Sequence, residues 1–185
     1  NRKYCDGGQC IRLYKTFMKK KDPEAANIVM GHNEEDLLGL GTIFSLLAYK
    51  KLYDGEYHPK QCVILEQELK IVIELSAAAP VNVSCGNSDF YLSVNGYEAR
   101  MLVHLKEGKL RQYYRNYKDY EFIPGEDTAM PKSITRYMDK SLKIATTPQT
   151  CYTWFNCDED FLNNEKKQMQ YLTHTLPFFL DNLNK

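Results

Sequence analysis

The middle third of the chain alternates apolar and polar residues, and this pattern constrains the fold more than any other sequence feature. The segments 69–75, 90–94 and 97–105 each place an apolar residue at every second position. A period of two is typical of strands with one buried face. Asn95-Gly96 between two such segments predicts a type I′ hairpin, and Glu107-Gly108 predicts a second tight turn. We therefore predict a four-stranded antiparallel meander over about residues 62–122, with a first hairpin at Ala77-Ala78-Ala79-Pro80 and a last strand over 110–122.

Helical spacing of apolar residues flanks this predicted sheet. One helix is predicted from about Cys10 to Lys21, and another is predicted to begin at Asn33, which acts as its N-cap. The segment 37–53 is apolar around most of its circumference, so we expect a buried central helix there. Further helices are predicted after Pro131 and from about Asp158, with Pro177 kinking or ending the last one. The fold class is thus α+β: a meander packed on a central helix with flanking helices, disulfide-stapled, in one secreted domain over residues 1–185.

This outline is similar to that of cystatin-like folds, in which a helix precedes an antiparallel sheet. The resemblance is topological and covers Asn33 to Phe122. The Gln-x-Val-x-Gly inhibitory loop of the cystatin family is absent, so the resemblance does not imply protease inhibition.

Charge and hydropathy exclude several classes of partner. The 185 residues carry 24 Lys+Arg and 24 Asp+Glu, which gives a formal net charge of +0. A neutral chain does not suit a nucleic-acid coat or a polybasic membrane binder, so we expect no nucleic-acid partner. The most apolar uncharged run, residues 37–49, is shorter than the ~20 residues that a membrane span needs.

Cysteine content and one sequon indicate an oxidising compartment. Asn82-Val83-Ser84 is a glycosylation acceptor. With an even number of cysteines and no initial methionine, it predicts a secreted glycoprotein whose signal peptide has been removed. The alternative is six reduced, buried thiols in a cytosolic protein. The predicted first hairpin separates Cys62 from Cys85 too widely for a bridge. The predicted disulfide residues are Cys5, Cys10, Cys62, Cys85, Cys151 and Cys157.

The sequence contains no established catalytic motif. HExxH, GxSxG, GxGxxG and P-loop patterns are all absent. The run from His32 to Asp36 resembles a metal cluster, but the capping interpretation of Asn33 accounts for it more simply. We therefore expect no enzyme activity, no metal and no cofactor.

Tyrosine and arginine crowd the predicted fourth strand and supply the one functional hypothesis. Both residue types are enriched at binding hot spots. We expect Arg111, Tyr113, Arg115 and Tyr117 to form a surface that binds an extracellular or cell-surface protein. Alternatively, the tyrosines fill the edge of the core, and the same segment also fits a helix. A rival function is a lipocalin-like carrier of a small hydrophobic ligand, held in a cavity between sheet and helix, although lipocalins need about eight strands.

Overall fold

The computed structural model describes residues 5–183, and its contacts cluster into two compact units. The first unit spans Asn1–Leu47 and the second Ala48–Lys185. The single domain expected over residues 1–185 stays a prediction. No helix in the described part of the chain is long and apolar enough to cross a membrane.

The first unit contains a pair of helices, α1 (Gly7–Lys20) and α2 (Pro23–Phe44). Asp6 caps α1 by accepting the backbone N–H of Gln9. Asp22 caps α2, and Pro23 occupies its first turn, where a missing N–H costs nothing. The predicted helix start at Asn33 is wrong, because Asp22-Pro23 already begins the helix ten residues earlier and Asn33 lies in its interior.

The predicted buried central helix is also wrong. The segment 37–53 is divided between α2 and α3 (Leu47–Asp54). Large apolar side chains on the second half of α2 are exposed: Leu37, Leu38, Ile43 and Phe44. In α3, only Ala48 and Leu52 are buried. Apolar composition predicted burial here, but the helix presents most of these side chains to solvent.

The second unit is built on a five-stranded antiparallel sheet, one strand more than predicted. Its strands are β1 (Tyr57–Leu65), β2 (Glu68–Leu75), β3 (Val83–Gly86), β4 (Phe90–Asn95) and β5 (Glu98–His104). Their order in the sheet, β1-β2-β5-β4-β3, places β3 at an outer edge, beside β4. The predicted hairpin at Ala77-Ala78-Ala79-Pro80 is therefore wrong, because this segment leads from β2 to the far edge, while β2 pairs with β5.

The two predicted tight turns are present, with a change of type. The loop between β4 and β5 is Gly96-Tyr97, and only Gly96 has a positive φ, +55°. That pattern belongs to a type II′ turn, not to the predicted type I′ turn. Glu107 and Gly108 both have positive φ, 52° and 73°, as a type I′ turn requires.

The predicted fourth strand does not join the sheet and is broken in two. Its first part, β6 (Lys109–Tyr113), pairs with the distant β10 (Tyr152–Asn156). A 3₁₀ turn over Tyr117–Asp119 then leads into β7 (Tyr120–Ile123), which pairs with two other strands. Local periodicity carries no information about such distant partners. The remaining elements are β8 (Thr128–Pro131), α4 (Lys132–Thr135), β9 (Ile144–Ala145), α5 (Glu159–Leu162) and α6 (Glu165–Asp181).

The core of the second unit lies where α6 meets the sheet. Tyr171, Leu172, Leu176 and Phe179 of α6 are almost fully buried. They belong to one apolar cluster with alternate residues of β2, β4 and β5. Pro177 lies inside α6 without ending it, since the helix continues to Asp181. The helix that organises this core is therefore the C-terminal one and not the predicted central one.

The α+β class with antiparallel sheets and several helices is confirmed, but the disulfide staple is not observed. No two cysteines lie at bonding distance in the described residues. The cystatin-like outline is not seen either. The sheet ends at His104 rather than near Phe122, and the segment from Asn33 is shared between two units.

Truncating one of the buried α6 side chains should destabilise the second unit. Leu176 is fully buried, so Leu176→Ala should lower the free energy of unfolding by about 3 kcal/mol, through lost burial and the cavity left behind. Leu142→Ala, at a leucine that is 56% exposed, should change it by less than about 0.5 kcal/mol. Urea unfolding followed by circular dichroism measures both, and equal effects would contradict the described core.

Candidate functional site

Arg111 contacts two aromatic rings of β10. It sits on β6 directly opposite Trp154 of β10. Its guanidinium carbon is 4.6 Å from the Trp154 ring centre and 4.7 Å from that of Tyr152. Contacts of this length between a guanidinium and aromatic faces are attractive, and they hold the cation in place.

A cleft of about 290 Å³ opens beside Arg111. Asp89 lies 3.9 Å from an Arg111 nitrogen, so it balances the cation only in part. His104 and Lys106 also line the cleft, with Phe90, Val103, Tyr113 and Trp154 as its apolar and aromatic walls. Such a cleft suits an anion with a flat or apolar body. Its size matches the cavity expected for a hydrophobic-ligand carrier, but its charged lining does not.

Tyr113 is a core residue, only 4% exposed. Its ring stacks on Phe178 of α6, with ring centres 3.6 Å apart, and meets Tyr152 edge-on. Burial raises the pKa of its hydroxyl, and Arg111 opposes part of that rise. Tyr113 therefore forms part of the buried wall of the cleft and offers little surface to a partner.

Arg115 and Tyr117 lie apart from this pair, because the strand ends at Tyr113. Arg115 is exposed, with its guanidinium carbon 5.0 Å from the Tyr53 ring centre. Tyr117 starts the 3₁₀ turn and lines a different cleft. The four predicted binding residues thus form no single face: Arg111 and Tyr113 are together, and the other two are elsewhere.

The cysteines of the second unit are thiols with raised pKa values. Burial raises the pKa of Cys62 to about 12 and those of Cys151 and Cys157 to about 11. A smaller contribution to the rise at Cys62 comes from Cys157, which places these two thiols in the same neighbourhood. Thiols of this kind are weak nucleophiles near neutral pH.

Asn82, the predicted glycosylation site, is exposed immediately before β3 at the edge of the sheet. Together with Val83 and Ser84 it lines a shallow surface depression. Glycosylation and secretion stay predictions.

The first unit brings His32 and Asp36 together on α2. They are four positions apart, so they share one helix face. The Nε2 atom of His32 lies 3.4 Å from an Asp36 carboxylate oxygen. His32 is 6% exposed, whereas the Asp36 side chain is 53% exposed. A carboxylate at this distance can orient the imidazole, and a histidine beside a carboxylate is the kind of pair that enzymes use for proton transfer.

The capping interpretation of Asn33 gives this pair no functional role. The sequence nevertheless shows a histidine and an aspartate at i and i+4 within a helical pattern. Trp154 and Asp89 line the cleft beside Arg111 but are distant from it in sequence, so no local pattern indicates them.

Comparison with known proteins finds one partial match. A family model described as RNase_H superfamily matches residues 1–48. These are 48 of 185 residues, and they coincide closely with the first compact unit, Asn1–Leu47. No curated protein and no solved structure matches the chain. The match includes His32 and Asp36.

Truncating the two tyrosines of the predicted surface separates core from surface roles. Tyr113→Ala should lower the free energy of unfolding by about 3–5 kcal/mol, because it removes a buried aromatic ring that stacks on Phe178. Tyr117→Ala, at a half-buried position, should cost about 1 kcal/mol or less. Thermal unfolding of both variants tests this, and a larger loss for Tyr117→Ala would reverse the assignment.

Peptide mapping without reductant should find no Cys62–Cys85 bridge. The register places both in one row across the sheet, on its opposite edges, with Ile71, Met101 and Leu92 between them. Four strand spacings amount to about 19 Å, whereas a bridge needs Cα atoms within about 7 Å. A Cys62–Cys85 peptide would contradict the strand order. Free thiols at most cysteines would count against the predicted secreted setting.

Proposed function

We propose that this chain takes part in hydrolysis of nucleic-acid phosphodiester bonds, with His32 and Asp36 as its proton-transfer pair. The observation that carries the proposal is their juxtaposition on α2 within the segment that matches the RNase_H superfamily. That family is named after a ribonuclease, an enzyme that cleaves RNA. The proposal replaces the expectation, drawn from missing motifs, that the chain has no enzyme activity.

The chemical role follows from the geometry. A water molecule that gives a proton to the pair becomes able to attack the phosphorus atom of a phosphodiester. The bond between phosphorus and the leaving sugar oxygen then breaks, and that oxygen takes up a proton from the pair. One water is consumed, and the products are a phosphate monoester and a hydroxyl. Asp36 is half exposed and accessible to the water, and the buried His32 lies beside its carboxylate.

Enzymes that hydrolyse phosphodiesters often use divalent cations held by carboxylates. Within residues 5–183 no group of three His, Cys, Asp or Glu side chains converges as a metal ligand set. The described residues therefore do not themselves fit a complete metal centre, and the proposed step uses the His32–Asp36 pair alone.

A second candidate function is binding of a protein partner through the Arg111 cleft. Arg111 contacts two aromatic rings and faces an open cleft in which Asp89 balances its charge only in part. A carboxylate side chain of a partner would complete this arrangement. This narrows the expected Tyr/Arg surface to Arg111 and its new neighbours, Trp154 and Asp89.

Cleavage of labelled oligonucleotides tests the leading proposal. The purified full chain is incubated with 5′-fluorescent single-stranded RNA, single-stranded DNA and an RNA–DNA hybrid, with Mg²⁺ or with EDTA. We expect cleavage of at least one substrate, and a loss of about 10²-fold or more for His32→Ala and for Asp36→Asn.

The matched control is His58→Ala, since His58 is an exposed histidine of the second unit. It should retain wild-type cleavage. Because Asp36 is half exposed, Asp36→Asn should keep the fold if His32→Ala does not, and circular dichroism checks both. Absence of cleavage by the wild-type chain on every substrate would refute the proposal, as would full activity of Asp36→Asn.

A further inference from the structure

A cleft of about 540 Å³ in the second unit gathers four of the chain's lysines. It lies beside the three-stranded sheet of β7, β8 and β9, and we call it the lysine cleft. Its charged lining consists of Lys118, Lys132, Lys140, Lys143 and one acid, Glu121. Tyr117 and Tyr120 supply aromatic surface.

One of the four lysines already has its partner. The Lys143 ammonium lies 2.8 Å from a Glu121 oxygen and donates to the Thr135 carbonyl oxygen at 2.7 Å. Thr135 also donates its hydroxyl hydrogen to the same Glu121 carboxylate. Lys143 is the main cause of a lowered pKa at Glu121, and Lys132 contributes less. Glu121 is therefore ionised and compensated within the cleft wall.

The other three lysines, Lys118, Lys132 and Lys140, are exposed and form no ion pair within residues 5–183. Two neighbouring acids are engaged locally. Asp119 accepts a hydrogen bond from Asn116, and Asp139 accepts the backbone N–H of Ser141. The cleft therefore keeps a positive excess that no acid of its own lining balances.

We propose that the lysine cleft binds the phosphate backbone of single-stranded nucleic acid. Three lysine cations around one cleft suit successive phosphates, and the volume exceeds what one phosphate ion fills. Proteins that hold single strands combine such a cationic groove with aromatic side chains on which bases stack. Tyr117 lies half-exposed in the lining, and Tyr120 is held by stacking on Tyr114, with ring centres 5.2 Å apart.

This inference rests on the proposed function for its choice of polyanion, and it adds a binding site in the second unit. It also departs from the expectation of no nucleic-acid partner. That expectation used the net charge of the whole chain, whereas phosphate binding depends on the local charge of one cleft.

Fluorescence anisotropy of a 5′-labelled 12-nucleotide oligothymidylate, in EDTA, measures binding without requiring cleavage. The double reversal Lys132→Glu/Lys140→Glu should weaken binding at least about tenfold. The control Lys19→Glu/Lys166→Glu changes net charge equally at exposed lysines outside the cleft lining, and it should stay within about twofold. Three neutralised phosphates predict that log K falls with log salt with a slope of about −2.

Two further arms identify the ligand class. Tyr117→Ala should weaken binding of oligothymidylate but leave an abasic strand of equal length unaffected, because only the former has bases to stack. Vesicles containing 30% phosphatidylserine should not bind in preference to the strand.

Wild-type affinity in the cleft double reversal, equal loss in the control, or binding to vesicles alone would each overturn the proposal. Its failure is distinguishable from failure of the proposed hydrolysis. Asp36→Asn should bind oligothymidylate normally even where it abolishes cleavage, and the cleft variant should retain the His32–Asp36 pair.

Discussion

Burial of four α6 side chains against the five-stranded sheet is the constraint on which the rest of the second unit depends. Tyr171, Leu172, Leu176 and Phe179 are each removed from water, and burial of such a side chain contributes roughly 1.5–3 kcal/mol. The same helix supplies Phe178, on which Tyr113 stacks, and Tyr113 is next-but-one to Arg111 on β6. The position of the Arg111 cleft therefore depends on the core, because it is fixed by the packing of a helix about 60 residues further along the chain.

The parts of this fold that sequence predicts are those set by neighbours in the chain. Alternation identified β2, β4 and β5, and Gly96 and Glu107-Gly108 marked their turns, because these depend on local backbone preference. Strand partners were not predictable in this way. The segment 110–122 alternates well enough to read as one strand, yet its first half pairs with β10 and its second half with β8 and β9. The predicted binding surface requires a single continuous strand over this segment. Because the segment instead forms two separate strands, the four predicted residues do not share one face.

In the first unit, apolar composition predicted burial of side chains that the structure shows to be exposed. Leu37, Leu38, Ile43 and Phe44 are as apolar as the residues of α6, yet they are exposed. What differs is the partner: α6 faces a sheet of alternating apolar residues, while α2 is paired with α1, a helix without any buried residue. Periodicity shows which face of a helix is apolar, but only tertiary contacts decide whether that face is covered. The arrangement of His32 and Asp36 also depends on where the helix begins. With Asn33 as the N-cap, His32 lies outside the helix, whereas with Asp22 as the N-cap both residues lie inside α2.

Net charge is a poor guide to the partners of this chain, because its charges are not evenly distributed. Equal numbers of acidic and basic residues cancel over the whole sequence. In the lysine cleft they do not cancel, since Glu121 is already compensated by Lys143 and three further lysines line the same space. Electrostatic attraction at ~0.15 M salt is screened beyond about 8 Å, so a phosphate at this cleft interacts mainly with these nearby lysines and little with distant carboxylates. A neutral protein can therefore hold a polyanion, provided that its acids are paired or lie more than a screening length away.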